Sequence, residues 1–118
     1  MSDANFEVKL LELENGKVPF ETWYYELKDQ KARVSILSRL TRARFGNFGD
    51  CKYFHGIGEL KIDIGPGYRV YFALHENELI ILLAGGVKNE QQKDIDAAVK
   101  LWKENKNETE RFRRDFRP

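Results

Sequence analysis

Cysteine is all but absent from this sequence: Cys51 stands alone among 118 residues. It can close no internal disulfide and has no companions at metal-ligand spacing, so a reducing, cytoplasmic setting is expected, with no metal site. Long hydrophobic runs are missing as well. The longest, Leu79 to Ala84, falls far short of the roughly 20 apolar residues that cross a bilayer as a helix, so no membrane association is expected. The opening residues MSDANFEVKLLE carry no basic region followed by an apolar stretch, and no secretory signal is expected. Net charge is nearly absent too, at +1. The cations are nevertheless gathered: Lys28, Lys31, Arg33, Arg39, Arg42 and Arg44 face a single Asp29 in one stretch, and Arg111, Arg113, Arg114 and Arg117 crowd the end of the chain. A locally basic surface attracts phosphates or acidic proteins even when the whole chain is close to neutral.

What is present suits one folded domain. Hydrophobic residues make up 42%, too many for a disordered chain, and a length of 118 supports a single core without staples. The centre of the pattern is Glu59 to Phe72, ELKIDIGPGYRVYF. Leu60, Ile62 and Ile64 alternate with polar residues, as do Tyr68, Val70 and Phe72 after Gly65-Pro66-Gly67. Period two on both sides of a glycine-rich break predicts a β-hairpin with one buried face. With Pro66 presetting φ and Gly67 tolerating positive φ, a three-residue loop is expected. That register sets Ile64 opposite Tyr68, Asp63 opposite Arg69 and Lys61 opposite Tyr71, and gathers Lys61, Asp63, Arg69 and Tyr71 on the second face.

Phe6, Val8 and Leu10 predict a first strand over 5–13, closed by Asn15-Gly16. Pro19 begins a short amphipathic helix through Leu27, with Phe20, Trp23, Tyr24 and Leu27 at helical spacing. Ala32, Ile36, Leu37, Leu40 and Ala43 stripe a second helix, which completes an αα-hairpin. Cys51 to Phe54 reads as a strand. Leu79 to Ala84, apolar without alternation, reads as a strand covered on both faces and therefore inside the sheet. Gly85-Gly86 is expected to break it. Asn89 then caps a helix, with Gln92 reaching back and Ile95, Ala98, Val99 and Trp102 as its buried stripe. Residues 1–104 form one domain on this reading, and 105–118 a polar, arginine-rich tail, frayed or disordered.

The pieces LKIDIGPGYRVYF, LIILLAGGVKNEQQKDI and RARFGNFGD together resemble the phage-derived addiction-module killer proteins, the HigB-like branch of the RelE/ParE toxin superfamily. The resemblance covers about Phe6 to Trp102. It implies an α+β, RelE-like two-layer fold: an antiparallel four-stranded sheet, an N-terminal αα-hairpin and a C-terminal helix, with helices on one face and a groove on the other. It implies the toxin of a type II toxin–antitoxin system, a metal-independent, ribosome-dependent mRNA endoribonuclease that inhibits translation and needs no cofactor. Its partners would be a helix-turn-helix, HigA-like antitoxin, the ribosome and mRNA. Lys61, Arg69 and Lys88 match the phosphate-handling positions. Some active relatives carry an Arg and then a Tyr or His near the last strand, where this chain reads KNEQQ. A non-catalytic ParE-like toxin that binds DNA gyrase, or an inactive antitoxin-binding member, is therefore the alternative.

The chemistry has its own requirements. RNA cleavage without metal needs a base for the 2′-hydroxyl, charge stabilisation at phosphorus and an acid for the leaving 5′-oxygen. Arg69 offers two parallel donors to phosphate, or pairs with Asp63 across the hairpin. Arg39, Arg42, Arg44 and Lys52 follow an RNA backbone or line a solvated surface. Tyr71 stacks on a base or shields the stem of Lys61. His55 and His75 sit beside turns, outside the matched positions, and read as solvated, with His75 the better outside candidate for acid–base work because it shares a face with Arg69.

Overall fold

The computed structural model describes residues 5–118. In chain order the elements are β1 (Glu7–Leu10), α1 (Pro19–Glu26), α2 (Gln30–Arg44), β2 (Cys51–Phe54), β3 (Ile57–Ile62), β4 (Tyr68–His75), β5 (Leu79–Val87), α3 (Gln91–Asn105) and β6 (Arg114–Asp115). Local chemistry explains several boundaries. Pro19 opens α1, and the Asp29 side chain accepts from the Ala32 amide to cap α2. Arg42 and Arg44 lie in the last turn of α2, where they complement the helix dipole. The β2–β3 hairpin turns on His55 and Gly56, with φ of +46° and +91°, the double positive φ that matches strand twist.

The sheet has six strands in the order β2-β3-β4-β5-β1-β6. It is mixed: β1 runs parallel to β5, and the other pairs are antiparallel. The four-stranded antiparallel sheet expected from the resemblance is thus corrected to an α+β fold with a six-stranded mixed sheet and three helices. The extra strands come from the two chain ends. β1 docks beside the central β5 rather than at a hairpin edge, and β6 pairs with β1.

The two-layer expectation is corrected as well, because both faces of the sheet are covered. Leu10, Leu60, Ile62, Val70, Phe72, Ile80 and Leu82 meet Phe20 and Tyr24 of α1 and Ile36 and Leu40 of α2. On the reverse face Ile57, Tyr71, Ala73, Ile81 and Leu83 meet Ile95 and Ala98 of α3, together with Phe112. As the unbroken apolar run implied, β5 lies inside the sheet between β4 and β1.

Gly85 and Gly86 do not break β5, which runs through them to Val87. A Cβ on Gly85 would lie 2.1 Å from a ring carbon of Trp23, and one on Gly86 would lie 2.0 Å from an Asp94 carboxylate oxygen. The pair is glycine because α1 and α3 press on opposite faces of the strand at that point.

The central hairpin forms, with its register shifted by two residues. Ile62 pairs with Tyr68, Lys61 with Arg69, Leu60 with Val70 and Glu59 with Tyr71, so the loop is Asp63 to Gly67. It closes through Gly67 N–H to Ile64 O at 2.9 Å, with Gly65 and Gly67 at φ of +51° and +82°. A shift of two leaves every side chain on its predicted face.

Two further corrections concern the C-terminal third. Asn89 does not cap α3: a 3-10 turn, Lys88–Glu90, precedes a helix start without a side-chain cap, and Gln92 bonds Asp96 instead. Nor is 105–118 a loose tail. A 3-10 turn, Thr109–Phe112, leads into β6; Phe112 is buried against Trp102 and His75, while Phe116 crosses to the other face and packs edge-on against Phe20 and Tyr24. Lys9 holds Asp115 at 2.6 Å. Among the described residues no helix is long and apolar enough to cross a membrane.

Candidate functional site

Strand parity and register build one polar corner on the face that α3 covers. Lys52 pairs with Glu59, Glu59 with Tyr71, Lys61 with Arg69, and Arg69 with Gly86. All of these therefore point to the same side of the sheet. The start of α3 closes the corner from above with Gln91 and Asp94.

Arg69 is only 3% exposed. Its Nη1 donates to Tyr68 O at 3.0 Å and lies 3.6 Å from the exposed Asp63 carboxylate, while its Nε has no hydrogen-bond partner. The cross-hairpin Asp63–Arg69 pairing is thus present as a loose ion pair, formed from the loop rather than from the ladder. Lys61 is half-buried beside Arg69 and close to the exposed Lys52, whose ammonium it pushes below the usual lysine range, first by hydrogen bonding and then by charge. Lys88 is exposed at the mouth. Its amide donates to Gly67 O at 2.8 Å, and a Cβ on Gly67 would sit 3.2 Å from Lys88 Cβ and 3.5 Å from Arg69 Nη1. Lys61, Arg69 and Lys88 are therefore brought together around the hairpin loop.

Of the other expected RNA contacts only Lys52 joins them, beside Lys61. Tyr71 is fully buried, which rules out the surface base-stacking role for it. Burial, and then the charge of Glu59, push its phenol above the ordinary tyrosine range, so it remains a neutral hydroxyl; that hydroxyl has no partner. Arg39 is spent on structure. Its guanidinium donates to the carbonyls of Phe48 and Asp50, at 2.9 and 3.0 Å, and to that of Lys61, and so clamps the α2–β2 loop to β3. Burial, and then neighbouring Arg42, lower its pKa. Arg42 is exposed on the opposite side of the sheet, in a cavity of about 380 Å³ shared with Ser38 and Asp63, and Arg44 lines another of about 560 Å³ with Glu7 and Phe116. The basic residues of α2 therefore do not form one track with Lys61. His55 sits in an exposed turn and His75 packs on Phe112, both outside the corner.

The structure adds three residues to the set. Glu59 has no exposed surface, and the Gln91 amide donates to its two oxygens at 3.1 and 3.0 Å. Asp94 packs on Gly86, its carboxyl pushed up by burial and then by Glu90. Glu59 carried a signal in the sequence, the same strand parity as Lys61. Gln91 and Asp94 are two of the polar residues of GGVKNEQQKDI, which belongs to one of the pieces that carry the resemblance. Among the described residues no three His, Cys, Asp or Glu side chains are grouped to hold a metal ion. The corner thus consists of cations surrounding one buried carboxylate, a set able to hold an anion and move a proton.

No family model matches the chain, and no solved structure matches it. An uncharacterized protein of Haemophilus influenzae is 48% identical over 86 residues, which span 72% of this chain and 87% of that protein. At that identity and coverage, the chain belongs to the same family as the Haemophilus influenzae protein.

Proposed function

We propose that this chain is the toxin of a type II toxin–antitoxin pair, a metal-independent, ribosome-dependent mRNA endoribonuclease whose partner is a helix-turn-helix antitoxin. The observation that supports this reading is the meeting of the three residues matched by the resemblance. Lys61 and Arg69 are register partners, and Arg69 and Lys88 both lie against Gly67. A phosphodiester approaching over the hairpin loop would replace Asp63, held only at 3.6 Å, as the partner of Arg69. Phosphate offers the guanidinium stronger, charge-assisted bonds than a loose carboxylate does. Donors aimed at developing charge are worth about 3 to 4 kcal/mol each in comparable sites. Lys61 and Lys88 add charge at the same mouth, and on this reading they hold the phosphate or exchange protons with the reacting oxygens.

Because Arg69 is buried, Arg69→Ala disturbs folding as well as chemistry. Lys61→Ala and Lys88→Ala are the cleaner variants. After brief induction in cells lacking the antitoxin, 5′-end mapping should show cuts inside translated frames with the wild-type chain and far fewer with Lys61→Ala. The burial of Arg69 favours one second reading, growth arrest without RNA cleavage through binding of DNA gyrase. Intact transcripts in arrested cells, with DNA-damage signalling, would replace the first reading by that one.

A further inference from the structure

Lys61 stands where β3 loses its outer neighbour. β2 begins at Cys51, opposite Leu60, so no residue of that strand lies across from Lys61. The alternation of an antiparallel ladder also turns the Lys61 N–H and C=O away from β4, where Lys61 and Arg69 sit opposite each other as a non-hydrogen-bonded pair. On the β2 side the Lys61 N–H donates to Asp50 O at 3.0 Å. The Lys61 carbonyl faces the same way and accepts from Arg39 Nη1. Through Nη2 the same guanidinium donates to Asp50 O at 3.0 Å and to Phe48 O at 2.9 Å. One side chain thus closes a ring of bonds around the Lys61 main chain, reaching its C=O directly and its N–H through Asp50 O.

This clamp sits in a socket shaped for it. A Cβ on Gly49 would lie 3.2 Å from Arg39 Nη2, and Gly49 has φ of +61°, so glycine both makes the bend and leaves room for the guanidinium. Three carbonyl oxygens converge on the group. A planar fork of donors answers that geometry, and the point charge of a lysine does not. Arg39 comes from α2, on the face to which Leu60 and Ile62 point, while the Lys61 side chain leaves on the face of α3. The guanidinium therefore reaches the polar corner through the Lys61 peptide alone.

We propose that Arg39 is a positioning residue for Lys61, fixing the end of β3 so that the Lys61 ammonium stays at the mouth beside Arg69 and Lys88. The proposal rests on the ribonuclease reading. Without the clamp, the end of β3 is held only by the pairs Leu60–Val70 and Ile62–Tyr68, and the peptide of Lys61 between them is free to turn. Misplacing a reacting group by about 1 Å costs on the order of 100-fold in rate. Two other roles for Arg39 leave different traces. A guanidinium that touches RNA acts through its charge and independently of Lys61. One that merely stiffens the α2–β2 loop lowers the folded fraction whatever residue stands at 61.

The test is cleavage of mRNA on programmed ribosomes by the purified full-length chain, for wild type, Arg39→Gln, Arg39→Lys, Lys61→Ala and the double variant of Arg39→Gln with Lys61→Ala. Amide hydrogen exchange is followed in the wild type and the Arg39 variants. Arg39→Gln should lower kcat about 10- to 100-fold with KM little changed, and should have no further effect once Lys61 is replaced. Arg39→Lys keeps the charge but not the fork, and its kcat should fall nearly as far. In both variants the Lys61 amide should lose protection, while the amides of Leu60 and Ile62, bonded to β4, keep theirs. Should Arg39→Gln fail to fold, Arg39→Lys takes its place in the cycle with Lys61→Ala. Wild-type kcat in Arg39→Lys, losses that add in the double variant, or an unchanged Lys61 amide each overturn the assignment and leave the ribonuclease reading standing. An inactive wild type overturns both.

Discussion

Toward α1 and α2 the central strands present Leu60, Ile62, Val70, Phe72 and Leu82, whereas toward α3 the same strands present Glu59, Lys61, Arg69 and Tyr71 at one end and Ala73, Ile81 and Leu83 further along. Both faces exclude water. On the first, burial is paid for by apolar area alone, at roughly 25 cal/mol per Å². On the second, a carboxylate, a guanidinium and a phenol are buried together, and two of their polar atoms lack partners. The difference separates two tasks: one face holds the chain together, and the other tolerates desolvated charge where chemistry is proposed.

Matched substitutions sharpen this contrast. Phe72 is fully buried on the apolar face, and Phe72→Ala should cost about 3 to 5 kcal/mol, read as a lower urea midpoint. A comparable loss from Lys61→Ala would erase the distinction, since half-buried Lys61 should affect cleavage far more than stability. Next in size is the glycine pair. Gly85→Ala drives a methyl group into the Trp23 ring and should cost about 1 to 3 kcal/mol. Gly86→Ala should cost less, because what it meets first is the end of the Asp94 side chain, which can turn aside. Equal losses in thermal melts would show that α3 is held as tightly as α1.

The smallest effect concerns Asp94 and carries a pH sign. Its folded pKa is raised above the unfolded value, so ionised Asp94 opposes folding at neutral pH and the protein gains stability as pH falls through the folded pKa. Asp94→Asn should therefore raise the melting temperature slightly near pH 7, with the advantage over wild type vanishing in acid. A melting temperature lowered at neutral pH would mean that the Asp94 charge has a stabilising partner.

Much of this architecture was legible from periodicity. The three helices and the facing of the paired hairpin residues follow from periods of 3.6 and 2, and the unbroken apolar run from Leu79 to Ala84 marked an interior strand. The site was legible in part. Lys61 and Arg69 share a face by parity, and Lys88 follows the glycine pair, but nothing local distinguished Glu59 from an ordinary solvated glutamate or Arg39 from an RNA contact. Arg39 is decided by three carbonyls distant in sequence, and Glu59 by a helix that arrives 32 residues later.

By itself, then, the sequence determined which residues are apolar in which rhythm, and hence the elements and the side each residue takes. Tertiary structure alone decided the two-residue shift of the hairpin, because parity is unchanged by such a shift and only the loop geometry and the packing of Ile64 select between registers. It also decided that β1 lies parallel to β5, that Phe112 and Phe116 clasp opposite faces, and that α3 buries Glu59 and Arg69. Each of these is a long-range contact between surfaces that are individually unremarkable, and its energy exists only once both surfaces have been formed.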